Sequence, residues 1–363
     1  MKAPSPPRLN ASELGRFLST PYVGETLSPI DGPGAVVLDL STTSDPEAVV
    51  WAAVLLEQLP ILPCVTIAIE ASAGPGVRED AKHALAFACD VVLSENDDLE
   101  AFLAAFVETP ISALAFVQLL RGSPSASTYA GLVAESFVYS TLQAGPEFAA
   151  WLKAHAGRTR NFPTGRADDG PACRFEREQG RLVLTLCRPD RHNAFSREMR
   201  DALVEGLQLA RADTSIEEVV LCGEGESFCS GGDLAEFGSA ASPAEAHVVR
   251  TTRSPASLIA GLAGRIRSEI HGACLGAGIE LPAFTDHVLA DENTFFQLPE
   301  IAMGLVPGAG GTVSLPRRIG RQRTGWLGLS GRRIDAQTAL DWGLVDEVRL
   351  GQHVEDGTST VVD

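Results

Sequence analysis

Two glutamates are the residues of this sequence best placed to do chemistry. Glu280 closes the run Gly276-Ala277-Gly278-Ile279-Glu280, and Glu300 stands in Leu298-Pro299-Glu300, ahead of Pro307-Gly308-Ala309-Gly310-Gly311. A third small-residue turn, Phe228-Cys229-Ser230-Gly231-Gly232-Asp233, follows an apolar run upstream. Such turns let backbone N–H groups point at a ligand oxygen, which builds an oxyanion site without side chains. Two carboxylates beside an oxyanion site suit proton transfer next to a polarised carbonyl. Singly, each glutamate reads as a surface or helix-capping carboxylate. Their pairing with three glycine turns is what points to catalysis.

These turns need elements that present them on one side. Residues 181–187 read as a buried strand, 196–212 as an amphipathic helix, 218–222 as a second strand, and 265–271 as a third that enters the glycine turn at 272–278. A helix over 279–285 leads to a strand at 288–290, and another helix starts near Gly311. Strands alternating with helices imply an α/β fold, parallel pairing, and a site at strand C-terminal ends.

The N-terminal half repeats the plan, with strands at 36–40, 64–69 and 90–95 and a helix at 46–59. Asp90-Val91-Val92-Leu93-Ser94-Glu95 parallels Asp286-His287-Val288-Leu289-Ala290-Asp291, but the residue six before the aspartate is Ala84 in one and Glu280 in the other. This suggests a duplicated half that lost its chemistry, set against chance likeness of two α/β segments. Helical patterns follow at 99–107, 110–120, 128–142 and 146–154. The breaker-rich stretch 157–172 reads as a linker between a region at 1–156 and a catalytic domain at 173–350, and 351–363 reads as a flexible tail.

With 363 residues and 45% hydrophobic content, the chain has enough apolar material for two cores. A formal net charge of −18 argues against nucleic acid or an anionic membrane as partner. The seven cysteines show no C-x-x-C pair, which fits reduced thiols in a cytoplasmic protein and read as small apolar residues. No His/Cys/Asp cluster has metal spacing, so no metal is expected. The N-terminus has no secretory signal pattern, and no apolar run reaches the roughly 20 residues of a membrane span.

Taken together, Arg188-Pro189-Asp190-Arg191-His192-Asn193-Ala194-Phe195, Phe228 to Leu234, His271 to Glu280, Leu298-Pro299-Glu300, Pro307 to Thr312, Gly331 to Ala336 and Trp342-Gly343-Leu344-Val345 resemble the crotonase (enoyl-CoA hydratase/isomerase) superfamily. The resemblance runs in order over about 175–348. It implies a ββα spiral, an acyl-CoA thioester substrate, no cofactor beyond the coenzyme A of that substrate, and a homo-oligomer, a trimer or dimer of trimers. It assigns the oxyanion hole to the N–H groups of Gly232 and Ala277, and the two hydratase glutamates to Glu280 and Glu300. Ala277 stands where many members have glycine, which is harmless while its φ stays negative. It assigns Arg188, Arg191, Asn193, Ala194, Ser230, Gly231, Asp233 and Leu234 to coenzyme A, with Arg188 and Arg191 set to meet phosphates.

Members that isomerise, decarboxylate or hydrolyse often lack one glutamate, so keeping both favours hydration, with Glu300 protonating Cα and Glu280 as the water base, or those two roles exchanged. Other crotonase reactions (isomerisation, thioester hydrolysis, cofactor-free oxygenation) and a non-catalytic assembly role remain alternatives. Read from the residues alone, Asp233 is a helix N-cap, Asn193 fixes a turn, His271 is a satisfied strand-end residue, and Arg317, Arg318, Arg321 and Arg323 form a solvated helix face. The family continues into a helical tail that this sequence does not show after Val348, and the helices within 99–155 are expected to replace it.

Overall fold

The computed structural model describes residues 4–70, 81–159 and 170–350. Most of the expected linker 157–172 and all of the expected tail 351–363 lie outside the described residues.

The N-terminal half runs β1 (Arg8–Leu9), α1 (Ala11–Leu18), α2 (Val23–Leu27), β2 (Ala35–Asp39), α3 (Asp45–Gln58), β3 (Val65–Glu70), α4 (Ala81–Ala88) and β4 (Val91–Ser94). Its strands pair in parallel in the order β1-β2-β3-β4. Continuous apolar runs such as Ala35-Val36-Val37-Leu38 suit strands covered on both faces. Val36, Leu38 and Ala68 pack under α1, α3 and α4, while Val37, Ile67 and Ile69 face the opposite way.

That opposite face is covered by α5 (Leu99–Ala104), α6 (Pro110–Gly122), α7 (Thr128–Gln143) and α8 (Pro146–Thr159). The same core takes in Ile301, Leu305, Val306 and Leu329 from the C-terminal half, so the four helices join the two halves. Glycines permit the close approach. A Cβ on Gly328 would lie 2.5 Å from the Phe116 ring, and one on Gly304 would lie 2.5 Å from the Phe148 nitrogen.

The C-terminal half contains β5 (Cys173–Glu178), β6 (Arg181–Leu186), α9 (Arg197–Ala212), β7 (Glu218–Gly223), α10 (Pro243–Thr252), α11 (Pro255–Ala260), β8 (Ile266–Ile270), β9 (Ala273–Leu275), α12 (Ala277–Glu280), β10 (His287–Asp291), β11 (Phe295–Gln297), α13 (Gly311–Ile319), α14 (Arg321–Ser330), β12 (Ile334–Asp335), α15 (Ala336–Trp342) and β13 (Glu347–Arg349). One sheet has the order β13-β10-β8-β7-β6-β5, parallel except for the β5–β6 pair, and a smaller one has the order β12-β11-β9. Two ββα units, β8-β9-α12 and β10-β11-α13, send their first strand to the large sheet and their second to the small one.

An aspartate locks the start of two neighbouring strand pairs, β8–β10 and β10–β13. The Asp286 N–H donates to the Ile266 carbonyl (2.8 Å), and its Oδ2 accepts from the Ile266 N–H (3.0 Å). Asp346 does the same to Val288, at 2.9 and 2.7 Å. Asp90 repeats it on Thr66, at 2.9 and 2.8 Å. Asp90 and Asp286 thus make the same contact in the two halves.

Two expectations need correction. The helix expected over 279–285 is split into α12 and a 3₁₀ turn at Pro282–Phe284, because Pro282 has no N–H with which to continue an α-helical ladder. The arginine cluster is not a solvated face: Arg321 pairs with the buried Asp90 at 3.2 Å, Arg318 pairs with Asp346 at 3.0 Å, and both side chains are largely covered. Arg317 and Arg323, which are exposed, donate to the Ala126 and Trp342 carbonyls respectively.

Candidate active site

Two isolated strand contacts, Phe195 with Gly232 and Cys229 with Cys274, extend the small sheet and bring the glycine turns together. The Phe195 N–H donates to the Gly231 carbonyl (2.7 Å), and the Asp233 N–H donates to the Phe195 carbonyl (3.1 Å). A parallel contact of this kind uses the groups flanking Gly232, so the Gly232 N–H points away from Phe195. On the other strand, Gly276 (φ +48°, ψ −118°) turns the chain out of β9, and Ala277 opens α12 with an N–H that has no intrahelical acceptor. Ala277 itself stays out of the left-handed region, as an L-residue prefers. Gly232, Ala277, Asp233, Glu280 and Glu300 all line one cavity of about 500 Å³.

The two carboxyls sit in unlike surroundings. Glu280 is buried, and its Oε2 accepts from the N–H groups of Ala309 (2.7 Å) and Gly311 (2.8 Å). Among the described residues nothing donates to its Oε1. Glu300 Oε2 is buried with no hydrogen-bond partner. Burial raises both acids. It pushes Glu300 up to about 8, with the Glu135 charge adding to the rise. It also carries Glu280 well above the usual carboxylate range, helped by the charges of Glu300 and Glu135. Main-chain N–H groups pull both acids back toward charge, the Ala309 and Gly311 amides at Glu280 and its own amide at Glu300. Two coupled buried acids favour holding one proton between them.

Gly276 is required twice over at this point. Its φ suits only glycine, and a Cβ there would lie 2.4 Å from Glu300 Oε1. Gly276→Ala is expected to lower unfolding free energy by about 1–3 kcal/mol through backbone strain, and to displace Glu300. Denaturant titration reads the first effect and turnover the second. Unchanged values of both would show that the turn tolerates a side chain.

Of the residues expected to meet coenzyme A, Asp233 lines this cavity. Arg188 is buried, with its guanidinium on Asp233 (3.0 Å) and the Ala194 carbonyl (2.8 Å), and it does not line the cavity. Asn193 (φ +52°) is fully buried, accepts from the Arg188 N–H, and donates to the Glu224 and Ser227 carbonyls, so it fixes the turn. Asp233 lines the cavity, while Arg191, Ala194, Ser230, Gly231 and Leu234 do not. Asp233 also accepts from the Ala235 N–H as an N-cap. His271 contacts the Gly225 carbonyl through Nε2 at 2.8 Å and is likewise absent from the lining. The cations on the wall are Arg197, Arg200 and Arg250.

Sequence reading expected the helices within 99–155 to cover the catalytic half but named none of their residues at the site. Tyr139 and Phe148 line the cavity, Arg250 stands over the Tyr139 ring at 4.6 Å, and Glu135 reaches the loop that holds Glu280. One signal was available: Glu135 is the lone charged residue of α7. Cysteine chemistry finds no support, because burial pushes the Cys229 thiol up to about 12 and Cys274 well above its ordinary value. Among the described residues no group of His, Cys, Asp or Glu is placed to hold a metal ion, and no helix is long and apolar enough to cross a membrane.

Two buried carboxyls and the Gly232 and Ala277 turns thus meet at one cavity of the ββα spiral. The sequence profile of the enoyl-CoA hydratase/isomerase family matches residues 176–362, and the chain belongs to that family, within the crotonase superfamily. It is 39% identical over 173 residues to 2,3-dehydroadipyl-CoA hydratase of Escherichia coli (strain K12), a match covering 47% of this chain and 67% of that protein. To the 1,2-epoxyphenylacetyl-CoA isomerase of the same strain it is 34% identical over 175 residues, 47% of this chain and 67% of that one. A crystal structure of an enoyl-CoA hydratase from Mycobacterium smegmatis aligns with a TM-score of 0.47 at 31% identity, over 50% of this chain and 71% of that one. The matched part of the chain thus spans about two thirds of these relatives.

Proposed function

We propose that this chain is an enoyl-CoA hydratase, adding water across the double bond of a 2-enoyl-CoA thioester or removing it in reverse. What carries this reading is the pair of buried carboxyls on the same cavity wall as the Gly232 and Ala277 amides. The thioester oxygen accepts from those two N–H groups, which draws electron density from Cβ and steadies the enolate as it forms. Losing one such donor typically costs about 3–4 kcal/mol of barrier. Water, held by Glu280 Oε1, adds its oxygen to Cβ and passes its proton to Glu280, while Glu300 gives its proton to Cα. Both atoms of the new bonds are thus supplied, and proton return from Glu280 to Glu300 resets the site. Arg197 and Arg200 are the cations proposed to meet coenzyme A phosphates. The family resemblance supports a cytoplasmic homotrimer or pair of trimers, readable by sedimentation.

Product analysis on a short 2-enoyl-CoA tests the proposal. A 3-hydroxyacyl thioester is expected. Free coenzyme A, or a double bond moved without added water, would replace hydration by hydrolysis or isomerisation.

A further inference from the structure

The loop that grips Glu280 is itself gripped from the far side. Glu135, buried on α7 of the N-terminal half, accepts through Oε1 from the Gly310 N–H at 2.7 Å. Its Oε2 accepts from the Thr312 N–H at 2.9 Å and from the Thr312 hydroxyl at 2.7 Å. Four consecutive main-chain donors therefore alternate, with 309 and 311 on Glu280 and 310 and 312 on Glu135. Successive N–H groups can diverge in this way because Gly310 takes φ +105°, a conformation of the kind that forms anion-binding backbone nests. Gly311 is also held close, since a Cβ there would lie 2.7 Å from Glu280 Cγ.

We infer that Glu135 is a positioning residue of the active site, which fixes the loop 309–312 so that its alternate amides hold Glu280 in register with Glu300. Glu135 lines the adjoining smaller cavity rather than the one that holds the glutamates, so it acts through the loop and not on substrate. The contact spans 175 residues of sequence, which makes the N-terminal half part of the catalytic apparatus rather than an inert remnant. Main-chain amides have no side chain to readjust, so their aim depends on what holds the loop from both sides.

This inference rests on the hydratase reading for its kinetic arm only. In the full chain, Glu135→Gln keeps the volume and an acceptor for Gly310 but turns a donor toward Thr312. Misplacement of a catalytic group by about 1 Å can cost about 10²-fold in rate, so kcat is expected to fall by about that factor with KM unchanged. Hydrogen exchange should quicken at the Ala309 and Gly311 amides, which do not touch Glu135, while core amides such as Val220 hold their protection. Thr312→Val removes only the hydroxyl donor, and should shift both readouts the same way by less. Wild-type exchange at 309 and 311 in Glu135→Gln, or a loss confined to KM, overturns the assignment. If the native chain fails to hydrate 2-enoyl-CoA, the functional reading falls, and the exchange comparison still decides whether Glu135 holds the loop.

Discussion

Replacing Glu300 by Gln is expected to cut kcat for hydration by about 10²- to 10⁴-fold, the range that a positioned proton donor contributes. The side chain keeps its size, but its orphaned buried Oε2 no longer has a proton to give to Cα. Glu280→Gln should lose a similar factor by a different route. The amide still accepts from Ala309 and Gly311, yet it cannot take a proton from water. The pH profile separates the two roles. Glu300 works in its protonated form, and burial holds its pKa up to about 8, so wild-type kcat should fall as pH rises through that value. In Glu300→Gln the residual rate should show no such alkaline fall. Turnover equal to wild type in both variants would falsify the two-carboxylate mechanism.

The parts of this site that were legible in the sequence are those built by local chain. Gly276 must be glycine because its φ demands it, and Glu280 follows four residues later on the helix that the turn starts. The longer buried strands such as β2, β3 and β6 read correctly because apolar runs of four to six residues between breakers have few other uses. The polar β5 and the short β1, β9, β11, β12 and β13, by contrast, were not expected. What was hidden depends on packing between distant segments. Arg188 looks like a phosphate ligand until Asp233 takes its guanidinium, and no spacing rule announces that pair. Arg321 sits in a basic cluster that reads as solvated, yet it pairs with Asp90 across the two halves. Residues 236–262, poorly patterned as sequence, hold α10, whose Arg250 reaches Ser136 on α7.

Deleting residues 1–156 is expected to leave a C-terminal half that does not fold to a stable, active form. We propose that α5 to α8 replace the helical tail of the family, and their contacts show how much would be exposed. Ile301, Leu305, Val306 and Leu329 are all buried in the core they share with α6, α8 and the N-terminal sheet. Exposing four such side chains forfeits about 1.5–3 kcal/mol each, together comparable with the 5–15 kcal/mol that holds a typical domain folded. The catalytic cavity would also lose the Tyr139 and Phe148 walls, and the loop carrying Gly310 and Thr312 would lose Glu135. Adding the N-terminal region back as a separate chain should restore part of the helicity and activity, because the contact is made by packed side chains rather than by the intervening segment. Circular dichroism and hydration assays on the fragment, alone and mixed, check both statements. A soluble fragment with native melting behaviour and full turnover would show that the helices cover the catalytic half without supporting it.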